Sequence, residues 1–248
     1  MNVDPDLTFL ASCSNEDLDP IVKYVVGADT NMLDINEHYK ANVGNHLAYV
    51  GLIVKEIREF GGNTFANTLR GDGVDYAEIV RDVAGKLGVK YEKTTKTGEA
   101  NTVEEIELKI LTKILEDSLK KMSDEERGSL EDEFRRAGLK NVNLSSGLPL
   151  GAMLAQGGVR LSGFIAYRVA VIVANAVAKV VLGRGLSMAG NALLTRAIGV
   201  FAGPIGWAVT GIWTAVDLAG PAYRLTIPVV CHVAYLRQKK SFERLGGT

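Results

Sequence analysis

Residues 102–136 read TVEEIELKILTKILEDSLKKMSDEERGSLEDEFRR, and this stretch decides the fold class. Thr102 and Glu105 have capping-box spacing, in which the Thr hydroxyl and the Glu carboxylate each accept from the other residue's amide. Ile106, Ile110, Ile114 and Leu115 then recur at helical period up to Met122. Ser123 and Glu126 repeat the device and open a second helix over 124–137, with Glu131–Arg135 and Asp132–Arg136 spaced for i, i+4 ion pairs.

The same period extends towards the N-terminus. Tyr76, Ile79, Val80, Val83 and Leu87 form one stripe, ended by Gly88, and Leu47, Val50, Gly51, Val54 and Ile57 form another after Asn45. Ser14 with Asp17 has capping-box spacing ahead of Leu18, Ile21, Val22, Tyr24 and Val25; Asp19 before Pro20 is an alternative start. Asp4-Pro5 reads as an N-cap for a short helix through Leu7, Phe9 and Leu10. Residues 89–101, VKYEKTTKTGEAN, lack periodicity and read as a mobile linker. No run joins period-two alternation to β-branched residues and hairpin turns, so the fold class is all-α.

Charge divides the chain. Its 248 residues carry 28 Lys+Arg against 29 Asp+Glu, a net charge of −1 that excludes a global pull towards nucleic acid. Residues 1–144 hold a net −9 and residues 145–248 a net +8, with Asp217 and Glu243 the sole carboxylates of the second part. The expected organisation is an acidic helical domain over 1–144 and a basic, glycine-rich apolar helical domain over 145–248. The hinge is LSSGLPLGAML, from residue 144.

Two stretches of the second part point to membranes. Residues 161–182, LSGFIAYRVAVIVANAVAKVVL, are broken only by Arg168 and Lys179. Eleven positions at about 100° each put these two cations within about 20° of one another, a narrow polar stripe on an apolar helix. Residues 197–216, AIGVFAGPIGWAVTGIWTAV, carry no charge, and their length matches the ~20 residues that cross a hydrocarbon core. Gly199 and Gly203 form a GxxxG pair suited to close helix approach, and a homo-oligomer is compatible with it. Gly203-Pro204 is a turn signal that makes a buried hairpin an equal alternative to a span. Trp207 and Trp213 mark two faces, and Val209 lies near the bilayer centre if the run spans. Mean hydropathy close to zero excludes an ordinary polytopic membrane protein.

Catalytic chemistry finds little support. His38 and His46 lack HExxH spacing and a third metal ligand, and read as a solvated helix face. Cys231 and His232 point about 100° apart on a helix, and Cys13 and Cys231 read as small buried hydrophobes. Asp72 and Asp75 lack the calcium-loop pattern, and capping of the next helix accounts for one of them. Gly71-x-Gly73 lacks the third glycine of a dinucleotide loop. Gly61-Gly62 is a helix stop, after which Asn63, Asn67 and Arg70 share a face that could meet a partner or bond the neighbouring loop. No catalytic, cofactor or metal residue is assigned, and no enzyme is expected. The acidic start MNVDPDLTFL lacks a secretory pattern, so a cytoplasmic protein is expected, peripheral to or inserted in the inner membrane.

Three blocks carry a resemblance: DLTFLASCSNEDLDPIVKYV near the start, FGGNTFANTLRGDGVDYAEIVRDVAGKLGVK in the middle and AYRLTIPVVCHVAYLR near the end. In this order they resemble the YaaW-like family of bacterial proteins, which is associated with a domain similar to the ubiquinol–cytochrome c chaperone. The resemblance implies a helical, non-catalytic protein that holds an apolar client. Two functions are therefore expected. One is membrane association or conditional insertion through the C-terminal apolar helices. The other is a soluble chaperone or assembly factor that meets an apolar protein client through Asn63, Asn67, Arg70 and the helix over 225–236.

Overall fold

All three capping boxes form. Ser14, Thr102 and Ser123 each accept from the amide three residues on, and Asp17, Glu105 and Glu126 accept from the cap amides in return. The computed structural model describes residues 4–28, 31–61, 73–92, 100–136, 143–144, 158–183, 186 and 223–246. Among these are eight α-helices and no strand: α1 Asn15–Val26, α2 Glu37–Ala41, α3 Val50–Gly61, α4 Tyr76–Lys86, α5 Val103–Leu119, α6 Asp124–Arg136, α7 Gly158–Leu182 and α8 Tyr223–Arg244. Single 3₁₀ turns occupy Thr8–Ser12 and His46–Tyr49. The fold is all-α, as the sequence indicates.

α8 is the hub. It packs most extensively along α7, and also against α1, α3, α4 and α5. Every residue from Leu225 to Leu236 is buried, so the helix is surrounded on all faces rather than amphipathic. One hydrophobic cluster runs from Leu7 and Leu10 through Ile53, Tyr76, Ile110 and Val173 to Leu236, with residues of both charge halves in it. At roughly 25 cal/mol per Å² of apolar surface, each fully buried aliphatic side chain contributes about 1.5–3 kcal/mol, and α8 supplies a row of them.

Two prolines sit inside helices without breaking them. Pro20 in α1 and Pro228 in α8 are buried, and each lacks the N–H that would bond the carbonyl four residues earlier. Those carbonyls belong to Glu16 and Arg224, two residues that are themselves exposed. Asp19 is not the start of α1.

Glycine is required at one junction. Gly73 has φ +72°, and a Cβ there would lie 2.7 Å from the Arg58 carbonyl carbon and oxygen. That close approach lets the Val74 amide donate to the Arg58 carbonyl at 3.1 Å, while Arg58 Nε donates to the Val74 carbonyl at 3.1 Å. The end of α3 is thereby clamped to the start of α4.

The structure revises several local expectations. Of the 89–101 segment, residues 93–99 lie outside the described residues; on either side of them the Asn101 amide donates to the Glu92 carbonyl and the Glu92 amide to Asn101 Oδ1. Arg135 contacts both Glu131 and Asp132, because i, i+3 reaches as well as i, i+4 on an exposed face. Asp4 does not cap a helix of its own. Its carboxylate accepts from the Tyr76 amide at 2.7 Å, 72 residues away, and from the Asp6 amide at 3.0 Å. Asp75 occupies the cap position of α4 but makes no cap bond there, and pairs with Arg58 Nη2 at 3.2 Å. A carboxylate brought by tertiary packing does the work assigned to a local one.

Candidate functional site

The richest polar chemistry of the described residues lies where α8 meets the N-terminal helices. Arg237, Gln238 and Lys239 are consecutive and fan out by about 100° each. Arg237 Nε donates to Glu107 Oε2 at 2.7 Å and Nη2 to Oε1 at 3.2 Å, a two-point guanidinium–carboxylate pair with α5. Gln238 Nε2 donates to Glu104 Oε1 on α5 at 3.3 Å, and Lys239 Nζ to Asp17 Oδ1 on α1 at 2.7 Å. The charge asymmetry of the chain becomes contact here: cations of the basic part seat on carboxylates of the acidic part.

Glu107 is fully buried, and the Tyr76 hydroxyl also donates to its Oε1 at 2.8 Å. Arg237 further donates from Nη2 to the Asp6 carbonyl at 2.8 Å and lies 4.6 Å over the Phe9 ring. The N-terminal segment is therefore strapped to α8. Burial pushes the Glu107 carboxyl above its ordinary range, although Arg237 and Tyr76 pull the other way. Arg237 is held above its ordinary value by Glu107, against the effect of burial.

His232, one turn earlier on α8, is buried and donates from Nε2 to the Asp17 carbonyl at 2.8 Å. That bond fixes the tautomer with Nδ1 bare, and Nδ1 has no hydrogen-bond partner. Its ring is edge-on to Tyr24 of α1 at 6.2 Å and to Tyr235 at 5.4 Å. Burial is the main cause that pushes His232 down to about 4. The aromatic contacts continue into α7, where Tyr167 stacks on Tyr235 at 6.3 Å and on Phe242 at 4.9 Å. Phe164 meets Phe242 at 5.2 Å, and the Arg168 guanidinium lies 5.2 Å over Phe164. Tyr235 and Phe242 are seven apart and Phe164 and Tyr167 three apart, a spacing from which this seam could have been found.

α7 carries Gly163–Leu182, 20 residues long and apolar enough to cross a membrane by length and composition, with 67% of that window buried. Residues 169–178 are buried on every face. Lys179 is exposed and Arg168 half-buried beside Phe164, so both cations lie outside this buried middle. Asn175, buried within it, accepts from the Leu186 amide at 2.8 Å after the chain reverses at Gly183.

His46 differs from the solvated reading. It is buried, with Nε2 3.6 Å from Asp19 Oδ1 on α1 and Nδ1 bonded to the Tyr49 hydroxyl. His38 is exposed. Cys13 and Cys231 are free and buried, and burial pushes their thiols up to about 11 and about 12. Both therefore stay protonated and unreactive at neutral pH. Among the described residues no group of three His, Cys, Asp or Glu side chains could hold a metal ion. The 225–236 helix is not a client surface in this conformation, because every side chain on it is buried. Asn63, Asn67, Arg70, Gly199, Gly203, Trp207, Val209 and Trp213 lie outside the described residues.

Comparison with known proteins gives close relatives. The chain is 43% identical over 242 residues to a UPF0174 protein of Helicobacter pylori, covering 95% of this chain and 92% of the relative. A second Helicobacter pylori UPF0174 protein is 37% identical over 202 residues, covering 80% and 92%. The UPF0174 protein YaaW of Escherichia coli is 33% identical over 251 residues, covering 96% and 95%. No protein-family model matches the chain, and no solved structure matches it.

Proposed function

The chain belongs to the UPF0174 family, as the resemblance to YaaW implies, and from that premise we propose that it is a non-enzymatic protein that inserts conditionally into membranes. The apolar C-terminal helices are the inserting part, and the acidic N-terminal helices are the shell that keeps them out of water. One observation carries the reading: α7 contains a 20-residue apolar segment of spanning length, packed along α8, with Arg168 and Lys179 inside it on either side of its buried middle, 169–178. Release of α7 and α8 from the shell gives lipid an apolar surface, and ten cations over 145–248 give it an attraction to anionic headgroups. Each cation close to such a surface is worth about 1 kcal/mol, less beyond a Debye length.

Flotation of the full-length chain with vesicles tests this. The protein is expected to float with vesicles rich in phosphatidylglycerol, more at low than at high salt, and weakly with neutral phosphatidylcholine. No flotation with either composition between pH 5 and pH 8 contradicts it.

A second reading, a soluble factor holding an apolar client, is favoured by a separate feature. Met32, Ile35, Val43 and Leu47 are exposed large apolar side chains within one short stretch around α2. Exposed apolar groups close in sequence suit a protein partner. Retention of an apolar peptide by the full chain, lost when these four residues become Ser, would favour it.

A further inference from the structure

We infer that His232 is a proton-operated latch: as a neutral imidazole it holds α8 against α1, and as an imidazolium it cannot be accommodated there and frees α8. The inference rests on the membrane reading only for its consequence, namely what the freed helix meets.

The geometry is one-sided. Nε2–H is used on the Asp17 carbonyl, while Nδ1 is buried and has no partner. A proton added at Nδ1 would place an uncompensated donor and a charge inside the α1–α8 contact, where unpaired groups are costly. Asp17 and Asp19 favour a charged imidazole, but burial outweighs them and each carboxylate already has a cation. From α1, Asp17 gives its carboxylate to Lys239 of α8, Asp19 is engaged with Lys23 and faces His46, and Tyr24 presents a buried hydroxyl. From α8 itself come Cys231, Tyr235 and the cation of Lys239, which opposes a further positive charge. α5 presents Glu107, committed to Arg237 and to Tyr76 of α4. α3 presents Arg58, paired with Asp75, and α7 presents Tyr167 and Arg168.

The sign follows from linkage. Burial pulls the folded-state value of His232 down to about 4, against 6.5 for the ordinary imidazole. Between those values the open form binds a proton that the closed form does not, so closure is complete above 6.5 and weakens as pH falls through the window. Glu107, Asp6 and Glu56 act oppositely, because burial raises each of them and the closed form then holds the extra proton. The latch is therefore read as a difference between variants and not as a whole pH profile. Because Tyr235 stacks on Tyr167, movement of His232 and its helix also disturbs the seam with α7.

The test is amide hydrogen exchange across Tyr223–Arg244 in the full chain without lipid, at pH 7.5 and pH 5, corrected for intrinsic exchange. His232→Gln keeps an N–H for the Asp17 carbonyl and removes the titration. Wild-type opening at pH 5 relative to pH 7.5 should exceed that of the variant by roughly 30-fold, the ratio that values of about 4 and 6.5 imply. Equal pH dependence in the two proteins overturns the latch. If the variant does not fold, 15N-histidine NMR of the wild type decides. A neutral Nε2–H tautomer at pH 6 while α8 is protected supports the latch, and a charged His232 in a protected α8 overturns it. Vesicle flotation separates the two claims. A pH-dependent difference in exchange without flotation keeps the latch and removes the membrane reading, whereas equal exchange with flotation does the reverse.

Discussion

Glu107 and Arg237, 130 residues apart in the chain, form a two-point ion pair in which the carboxylate is fully buried and the guanidinium side chain is 15% exposed. Removing one partner of such a pair strands the other, which typically costs about 3–5 kcal/mol. Glu107→Leu and Arg237→Met are each expected to cost that much in chemical denaturation. The double substitution should cost far less than the two together, because burying two apolar groups removes the desolvation of two charges. Additive losses would mean that the two residues act independently.

The thiols give a second expectation. Cys13 and Cys231 are buried and held as protonated thiols, at about 11 and about 12. At pH 8 a thiol reagent should modify them at least roughly 100-fold more slowly than free cysteine, since the thiolate is the reacting form. Denaturant should restore the ordinary rate at both. Fast modification of Cys231 in the native chain would place α8 at the surface.

Deleting α8 should be far more damaging than its place at the end of the chain suggests. A chain ending at residue 222 lacks the helix against which α1, α3, α4, α5 and α7 pack. It is expected to keep helical circular dichroism while binding a hydrophobic dye and losing a sharp unfolding transition. The acidic segment 1–144, which the charge distribution marks as a domain, is expected to show the same loss when it is made alone. A sharp, cooperative transition for residues 1–144 would show that the acidic helices form a core without α8.

What the sequence reveals depends on separation along the chain. The three capping boxes are legible because both partners lie within one helical turn, as with Thr102 and Glu105. The charge asymmetry is legible as a sum. The pairs that realise it are not, because nothing local to Arg237 or Glu107 distinguishes them from solvated neighbours. Asp4 resembles a local cap and instead serves the Tyr76 amide across the fold. His46 shares its polar surroundings with His38, and only the approach of α1 buries it. The burial of 225–236 on all faces is visible as an apolar run, yet its central position depends on which helices surround it. The seam of Phe164, Tyr167, Tyr235 and Phe242 has helical spacing, but its partnership across helices follows from packing alone.

On the function proposed above, the apolar C-terminal part leaves an acidic helical shell to enter lipid. Trp207 and Trp213, the two tryptophans of the chain, lie in the uncharged run 197–216 and report on it directly. The measurement is their fluorescence in the full-length protein with anionic vesicles whose acyl chains carry bromine, at pH 7.5 and pH 5. Insertion should give a blue-shifted emission and strong quenching by bromine deep in the bilayer, greater at pH 5, with a smaller effect at high salt. An emission maximum and intensity unchanged by the brominated vesicles at both pH values would contradict it.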